Sequence, residues 1–122
     1  MEKRNLGNTG TKVGALGIGA MSFSDFYGPT NTQESHAILK LALDSGVDHI
    51  DTAKVYGMGL SEERIGQFLN NLGSNDRQFF KIATKGGIDR KSFDDKGTVV
   101  FDNSKKFLTE ELDNSLKRLG VD

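Results

Sequence analysis

The sequence has 122 residues, about one domain or less, and its 35% hydrophobic and 27% charged residues are typical of a globular chain. A formal net charge of -1 leaves no basic surplus for nucleic acid, and the lack of cysteine excludes disulfides and thiolate chemistry. The charged start MEKRNLGNTG has no apolar run behind it. We therefore expect a cytoplasmic protein that binds neither nucleic acid nor membrane, and we assign it no metal site.

The chain begins with a predicted hairpin, whose arms are residues 3–6 and 11–16 and whose turn is 7–10. The segment GALGIGAM at 14–21 is apolar without polar alternation, which predicts a strand buried on both faces. A loop follows at 22–31. Its aromatic residues either pack within the loop or form an apolar rim for a substrate: Phe23, Phe26 and Tyr27.

Two helices are predicted next. The first begins at a capping box formed by Asn31 and Glu34 and ends at Gly46. Its predicted apolar face is Ile38, Leu39, Leu41 and Ala42. The second is capped by Ser61, ends at Gly73, and carries acidic residues in its first turn. Its predicted buried stripe is Ile65, Phe68, Leu69 and Leu72.

Two further strands are predicted, VDHIDTA at 47–53 and FFKIATKG at 79–86. The polar stretch 87–103 is longer than most connections, so it is a functional loop or contains a small hairpin, with RKSFDDKG at 90–97 as a solvated part. The last helix covers about 104–119 and stops at Gly120. Its predicted buried side is Leu108, Leu112, Leu116 and Leu119.

Alternation of strand and helix predicts an α/β fold with a parallel sheet and right-handed crossovers. Two architectures remain open at this point, the open doubly wound sheet and the closed eightfold barrel. Both place their active sites at the C-terminal ends of the strands. The pair Gly17 and Gly19 lacks the third glycine of a dinucleotide-binding loop, so tight strand packing is the preferred interpretation of that segment.

Polar side chains are predicted to meet at this end of the sheet. Side chains alternate along a strand, so Ile50, Phe80 and Ile82 face the helices, whereas Asp51 and Lys85 point to the other face. Neighbouring strands lie about 4.8 Å apart, so the Lys85 ammonium can reach the Asp51 carboxylate. Tyr56 stands in the loop just beyond Asp51.

Such a trio is suited to proton donation. A tyrosine has a pKa of about 10, which is too high for an efficient acid at neutral pH. A cation about 4 Å away favours the phenolate by roughly 4 kcal/mol at an effective dielectric near 20. We expect Tyr56 to give a proton to a developing alkoxide, Lys85 to favour that transfer, and Asp51 to keep Lys85 charged and aimed.

These residues resemble a known family. VDHIDTAKVYGMGLSEERIGQFL resembles the stretch of aldo-keto reductases that carries their catalytic Asp and Tyr, and IATKGG resembles the strand that supplies their Lys. KRNLGNTGTKVGALGIGAM is similar to the hairpin that closes the bottom of their barrel plus its first strand, and FDNSKKFLTEELDNSLKRLGVD to their third helix. The resemblance implies an N-terminal β-hairpin plus three β/α units of a (β/α)8 TIM barrel, incomplete in this chain, with 1–122 as part of one domain.

The resemblance also implies an activity, the NADP(H)-dependent reduction of an aldehyde or ketone, with Tyr56 as general acid beside Asp51 and Lys85. The residues placed at the family's cofactor are Gly19, Ala20, Met21 and Asp51. The family's catalytic His follows its fourth strand, which would begin after Asp122. Neither His36 nor His49 matches that position, so both are interpreted as structural.

The length bears on the activity, because an eightfold barrel takes about 250 residues. We expect the 122 residues to be a truncated or fragmentary form with little activity alone. The alternative is a non-catalytic part-barrel that binds a partner or itself through its open sheet edge. A flavodoxin-like phospho-receiver is set aside, because Met21 and Ser22 stand where an acidic pair is required.

Overall fold

The computed structural model describes residues 1–89 and 99–122, and a parallel sheet of three strands, in the order β3-β4-β5, lies at its centre. The strands are β3 (Gly17–Gly19), β4 (His49–Asp51) and β5 (Lys81–Ala83). Their register aligns Ile18, Ile50 and Ile82 in one row. Ile50 is fully buried and the other two pack against the core, which confirms the predicted helix-facing side of the sheet.

Within residues 1–89 and 99–122, four α-helices and two hairpins accompany this sheet. The helices are α1 (Thr32–Ser45), α2 (Leu60–Asn70), α3 (Ser74–Arg77) and α4 (Lys105–Leu119). The hairpins pair β1 (Lys3–Asn5) with β2 (Lys12–Gly14), and β6 (Ile88–Asp89) with β7 (Val100–Phe101). No helix of the described ranges is long and apolar enough to cross a membrane.

The β6-β7 pair confirms the small hairpin that was one interpretation of 87–103; the segment RKSFDDKG at 90–97 lies outside the described residues. The prediction of a single strand over 14–21 is wrong at both ends. Gly14 closes the first hairpin, and the backbone turns into a 3-10 helix at Ala20–Ser24 directly after β3. The turn follows because the Ala20 carbonyl accepts a hydrogen bond from a helix side chain, Ser61 Oγ, rather than from a neighbouring strand.

The bottom of the sheet is tied to the first hairpin by a buried carboxylate. Asp48 accepts hydrogen bonds from Lys3 Nζ at 2.5 Å and from the Gly14 amide at 2.6 Å, and Lys81 Nζ lies 3.8 Å away. Burial by itself raises the pKa of Asp48, but these hydrogen bonds and the two ammonium charges outweigh it and lower the pKa. Asp48 is therefore held charged beneath the strands.

Helix α1 confirms the predicted ends but not the predicted face. Asn31 Oδ1 accepts from the Glu34 amide at 2.9 Å, Glu34 accepts in return, and Gly46 ends the helix at a φ of 76°. Leu39 and Ala42 are buried as predicted, whereas Leu41 is 67% exposed and Ile38 is also exposed. The helix covers the sheet with a narrow face, and the two exposed residues line a groove beside the open edge of β3.

Helix α2 differs from prediction at both ends. It begins after Gly59, which has a φ of 101°, and Ser61 does not cap it because the serine hydroxyl bonds inward. It ends at Asn71, and Gly73 instead precedes α3, a helix that was not predicted. The predicted stripe is confirmed as buried or packed against the core: Ile65, Phe68, Leu69 and Leu72.

Helix α4 buries only part of the face that was predicted. Its ends are as expected, since Ser104 Oγ caps it at 3.2 Å and Gly120 has a φ of 65°. Leu119 is buried as predicted and Leu116 is half-buried, whereas Leu108 and Leu112 are exposed and Glu111 and Ser115 are buried instead. Polar pairs accompany this orientation, because Glu111 pairs with Lys54 at 3.1 Å and Arg118, two turns later, pairs with Glu62 of α2.

Candidate active site

Three polar head groups meet at the C-terminal end of the sheet. Lys85 Nζ forms a salt bridge with Asp51 Oδ1, the last residue of β4. The same ammonium donates to the Thr52 carbonyl at 2.9 Å and lies 3.4 Å from Tyr56 Oη. The structure thus brings together Asp51 and Lys85, which strand alternation predicted to meet, and Tyr56, which was predicted from its place in the loop beyond Asp51.

Backbone pairing continues past the strands and fixes Lys85 in place. The Thr52 amide donates to the Ala83 carbonyl at 2.8 Å, and the Lys54 amide donates to the Lys85 carbonyl at 3.2 Å. Residues after β4 and β5 therefore remain side by side. This is why a lysine beyond the end of one strand reaches a carboxylate at the end of the next.

Tyr56 is presented by a tight turn that needs glycine. Gly57, Met58 and Gly59 all have positive φ, of 66°, 56° and 101°. A Cβ at Gly57 would lie 2.9 Å from the Ser24 and Leu60 side chains, so only glycine fits. The Gly59 amide then donates to the Lys54 carbonyl at 2.7 Å, which closes the turn immediately before α2 begins at Leu60.

The electrostatics favour a charged lysine. Burial by itself lowers the pKa of Lys85, but the hydrogen bonds and charges of Asp51 and Tyr56 outweigh it and raise that pKa. The Lys85 and Asp51 side chains are each about half exposed, so solvent and ligand can reach them. An ammonium held beside a phenol can stabilise the phenolate that forms when the phenol gives up its proton.

A cavity of about 220 Å³ adjoins these groups. Tyr56, Lys85 and Lys54 are the polar residues of its lining, and the others are small or apolar: Ala53, Val55, Gly86 and Ile88. An apolar cavity that ends on a hydrogen-bond donor and a cation is suited to a small molecule with one polar oxygen.

The residues predicted to contact the cofactor differ in how exposed they are. Gly19 is in register with Asp51, and a Cβ built on it would meet nothing within 4 Å, so the space above it is open. Met21 is half-buried. Ala20 is fully buried, and its carbonyl accepts from Ser61 Oγ at 2.8 Å, which turns this residue away from the open space.

The remaining candidates lie outside this site. Phe23 is buried in the core, so it packs internally, whereas Phe26 and Tyr27 are exposed and stack edge to face at 5.2 Å. His36 donates to the Arg64 carbonyl at 2.9 Å. His49 bonds the Lys81 carbonyl at 3.2 Å, deeper in the sheet. Both histidines bond backbone carbonyls, which agrees with their interpretation as structural residues.

Sequence reasoning missed a polar layer on the helix side of the strand ends. Thr52 Oγ1 lies 2.9 Å from Ser61 Oγ, and Thr84 Oγ1 donates to Glu62 Oε1 at 2.6 Å. Because side chains alternate along a strand, Thr52 and Thr84 fall on the same face as Ile50 and Ile82. A hydroxyl on a face expected to be apolar was the signal that partners lay opposite.

The chain is similar to known proteins over almost its whole length. The family model described as "Aldo/keto reductase family" matches residues 15–122. An NADP(+) aldo-keto reductase of Schizosaccharomyces pombe is 34% identical over 119 residues, 98% of this chain and 33% of the relative. An L-galactose dehydrogenase of Arabidopsis thaliana is 34% identical over 122 residues, 100% of this chain and 35% of the relative. The chain spans about a third of the length of these two relatives.

Solved structures give the same result. A holo form of an aldo-keto reductase from Bacillus halodurans superimposes with a TM-score of 0.82 at 32% identity, covering 100% of this chain and 37% of that one. Such neighbours are (β/α)8 barrels, so the predicted fold class, a hairpin plus three β/α units of a TIM barrel, is confirmed. Of the two architectures that the sequence left open, the eightfold barrel is the one that applies.

Proposed function

Because this chain belongs to the aldo/keto reductase family, we propose that it supplies the proton-transfer residues of an NADP(H)-dependent reductase that converts small aldehydes or ketones to alcohols. The observation that carries the proposal is the contact of one ammonium, Lys85 Nζ, with both Asp51 and Tyr56. The name of the Schizosaccharomyces pombe relative supports NADP(H) as the cofactor.

In this proposal Tyr56 is the general acid. NADPH, when bound, supplies the hydride that goes to the carbonyl carbon. Tyr56 Oη gives its proton to the carbonyl oxygen, so the products are an alcohol and a phenolate that water later reprotonates. Lys85 stabilises the phenolate from 3.4 Å, and the Asp51 salt bridge keeps the ammonium charged and directed at the phenol.

The residues present fit a cofactor at the end of β3. Gly19 leaves open space beside Asp51, which would admit a flat ring close to the backbone. Gly19 and Asp51 would border that ring, and half-buried Met21 would flank it. The buried Ala20 supports the ring only through the backbone that it holds in place.

A chimera tests the proposal. This chain replaces the matching 119-residue segment of the Schizosaccharomyces pombe relative, and NADPH oxidation is measured with a panel of aldehydes and ketones. Tyr56→Phe is expected to lower kcat about a hundredfold or more, since it removes the acid. Tyr27→Phe, at an exposed tyrosine, is the matched control and is expected to keep the parent kcat.

A folded chimera whose turnover is insensitive to Tyr56→Phe would contradict the proposal. The 122-residue chain alone is expected to oxidise NADPH no faster than its own Tyr56→Phe variant. Clear turnover by the chain alone, lost in that variant, would show that these three β/α units are sufficient for the reaction.

The second candidate function is that of a binding or self-associating part-barrel. It is favoured by exposed apolar residues on α1 and α4, namely Ile38, Leu41, Leu108 and Leu112. Sedimentation velocity at several concentrations is the measurement. A single stable oligomer would favour this function, and a monomer at every concentration would count against it.

A further inference from the structure

The first turn of α2 lies behind the site, on the helix side of the sheet. Ser61 and Glu62 are both fully buried there. Ser61 Oγ donates to the Ala20 carbonyl, which follows β3, and contacts Thr52, which follows β4. Glu62 Oε1 accepts from Thr84, which follows β5. Two adjacent residues therefore hold the ends of all three parallel strands.

The donors and acceptors of this layer permit one arrangement. Ser61 has a single hydroxyl proton, and the Ala20 carbonyl can only accept, so that proton goes there. In the 2.9 Å contact with Ser61, Thr52 must then be the donor. Glu62 is a carboxylate that accepts from two donors, Thr84 Oγ1 and Arg118 Nε, each at 2.6 Å.

The hydroxyl of Thr84 is not needed to balance the Glu62 charge. Arg118 already pairs with the carboxylate, and Ser115 Oγ accepts from Arg118 Nη2 at 3.3 Å. The Thr84 hydrogen bond instead fixes the orientation of the chain, since Thr84 and Lys85 are adjacent and project to opposite faces of the strand. When the Thr84 side chain is held toward α2, the Lys85 side chain lies on the same face as Asp51 and Tyr56.

We propose that Glu62 is a positioning residue for Lys85, acting through Thr84 to direct the ammonium onto Asp51 and Tyr56. The importance of this role for catalysis rests on the proposed function, but the positioning itself is a property of the folded chain. Ser61 also helps to position Lys85, because it bonds Thr52, whose carbonyl accepts from Lys85 Nζ at 2.9 Å.

The test removes the Thr84 hydroxyl and leaves the Glu62 to Arg118 pair intact. Thr84→Val keeps the side-chain shape and leaves the charges around Lys85 unchanged, whereas a neutral substitution of Glu62 would remove a charge and leave Arg118 without its carboxylate. Thr84→Ser restores the hydroxyl. Ile65→Val, in the buried core on the same helix, is the control for a loss of stability without a change in the polar layer.

The readout is the titration of the Lys85 amine, followed by NMR of the lysine side-chain carbons. In the parent chain the Asp51 and Tyr56 contacts hold the pKa of Lys85 above its usual value. Thr84→Val is expected to shift the pKa down, because the ammonium spends less time on Asp51. Thr84→Ser and Ile65→Val are expected to titrate like the parent. Competitive acetylation at neutral pH gives a second measure, with faster labelling of Lys85 in Thr84→Val.

A folded Thr84→Val chain whose Lys85 titrates and labels like the parent would overturn the proposal. So would a change of equal size in Ile65→Val, since that would assign the effect to general loosening. The experiment needs no cofactor, substrate or turnover. A chain without reductase activity can therefore still show that Glu62 positions Lys85. Failure of this positioning proposal is thus distinguishable from failure of the proposed function.

Discussion

Asp51 on β4 lies in register with Ala83 on β5, two residues before the lysine whose ammonium it binds. At about 3.3 Å per residue, Lys85 starts roughly 7 Å farther along the strand direction. The lysine side chain must therefore extend back over the strand ends to reach the carboxylate. The ammonium of Lys85 therefore lies within 3.4 Å of Tyr56 Oη, displaced back along the strand from its own backbone.

The charge of Asp51 is expected to control the protonation of Lys85. Because the pKa of Lys85 is raised in the folded chain, its contribution to stability is complete below its unfolded value of 10.5. That contribution is lost as the pH rises through the folded pKa. Asp51→Asn is expected to lower the pKa of Lys85, measured by NMR titration. Asp44→Asn, at an exposed carboxylate on α1, should leave Lys85 unchanged, and a shift there would count against the prediction.

Acid is expected to destabilise the chain partly through Asp48. Its pKa lies below the usual 3.8 in the folded state, so its stabilisation is complete above that value and is lost as the pH falls through the folded pKa. Asp48→Asn should cost about 2 kcal/mol at neutral pH, because Lys3 loses a charged partner. Urea unfolding at a series of pH values below 5 should then show a weaker pH dependence than the parent. Asp113→Asn, at an exposed carboxylate on α4, is the control and should match the parent. An unchanged slope for Asp48→Asn would contradict this assignment.

The contact between α2 and α4 depends on a glycine. A Cβ at Gly66 would lie 2.0 Å from the Arg118 carbonyl oxygen, a backbone atom that cannot move without shifting α4. Gly66→Ala is expected to cost more than about 3 kcal/mol, measured as the free energy of unfolding in urea. Gly73→Ala is the matched control, since a Cβ there meets nothing within 4 Å and φ is -65°. Equal effects of the two substitutions would show that the helices do not approach so closely.

Two leucines of α1 should respond in opposite ways to truncation. Leu39→Ala removes a fully buried side chain and is expected to cost about 2 to 5 kcal/mol. Leu41→Ala should change the free energy of unfolding by no more than about 0.5 kcal/mol in the monomer, because Leu41 is exposed. Urea midpoints at low protein concentration provide the comparison. A large cost at Leu41 would indicate that this face is covered in solution.

Period and residue type were enough to predict the sheet and the meeting of Asp51 with Lys85, because side-chain direction alternates strictly along a strand. They also oriented α2, but they were not enough to orient α1 and α4. The leucines of α4 show where apolar residues lie, but the buried face also carries Glu111 and Arg118, whose partners are Lys54 and Glu62. Those partners are distant in sequence.

The buried polar residues were the hardest to predict. Glu62 and Arg118 are 56 positions apart, and Asp48 and Lys3 are 45 apart, so no local pattern links either pair. Ser61 was interpreted as a cap because serine at a helix start usually bonds the helix amides. Here the same hydroxyl bonds a strand end, a choice that depends on tertiary structure alone.

Both parallel pairings of the sheet enclose the same length of chain. Gly17 pairs with His49 and His49 with Lys81, so each closes a loop of 32 residues (49 − 17 and 81 − 49). The entropic cost of closing a loop depends on the number of residues in it, so it is the same for both pairings and does not favour the earlier formation of either one. The order of assembly must then be decided by side-chain contacts, and the segment that contacts all three strand ends is the first turn of α2.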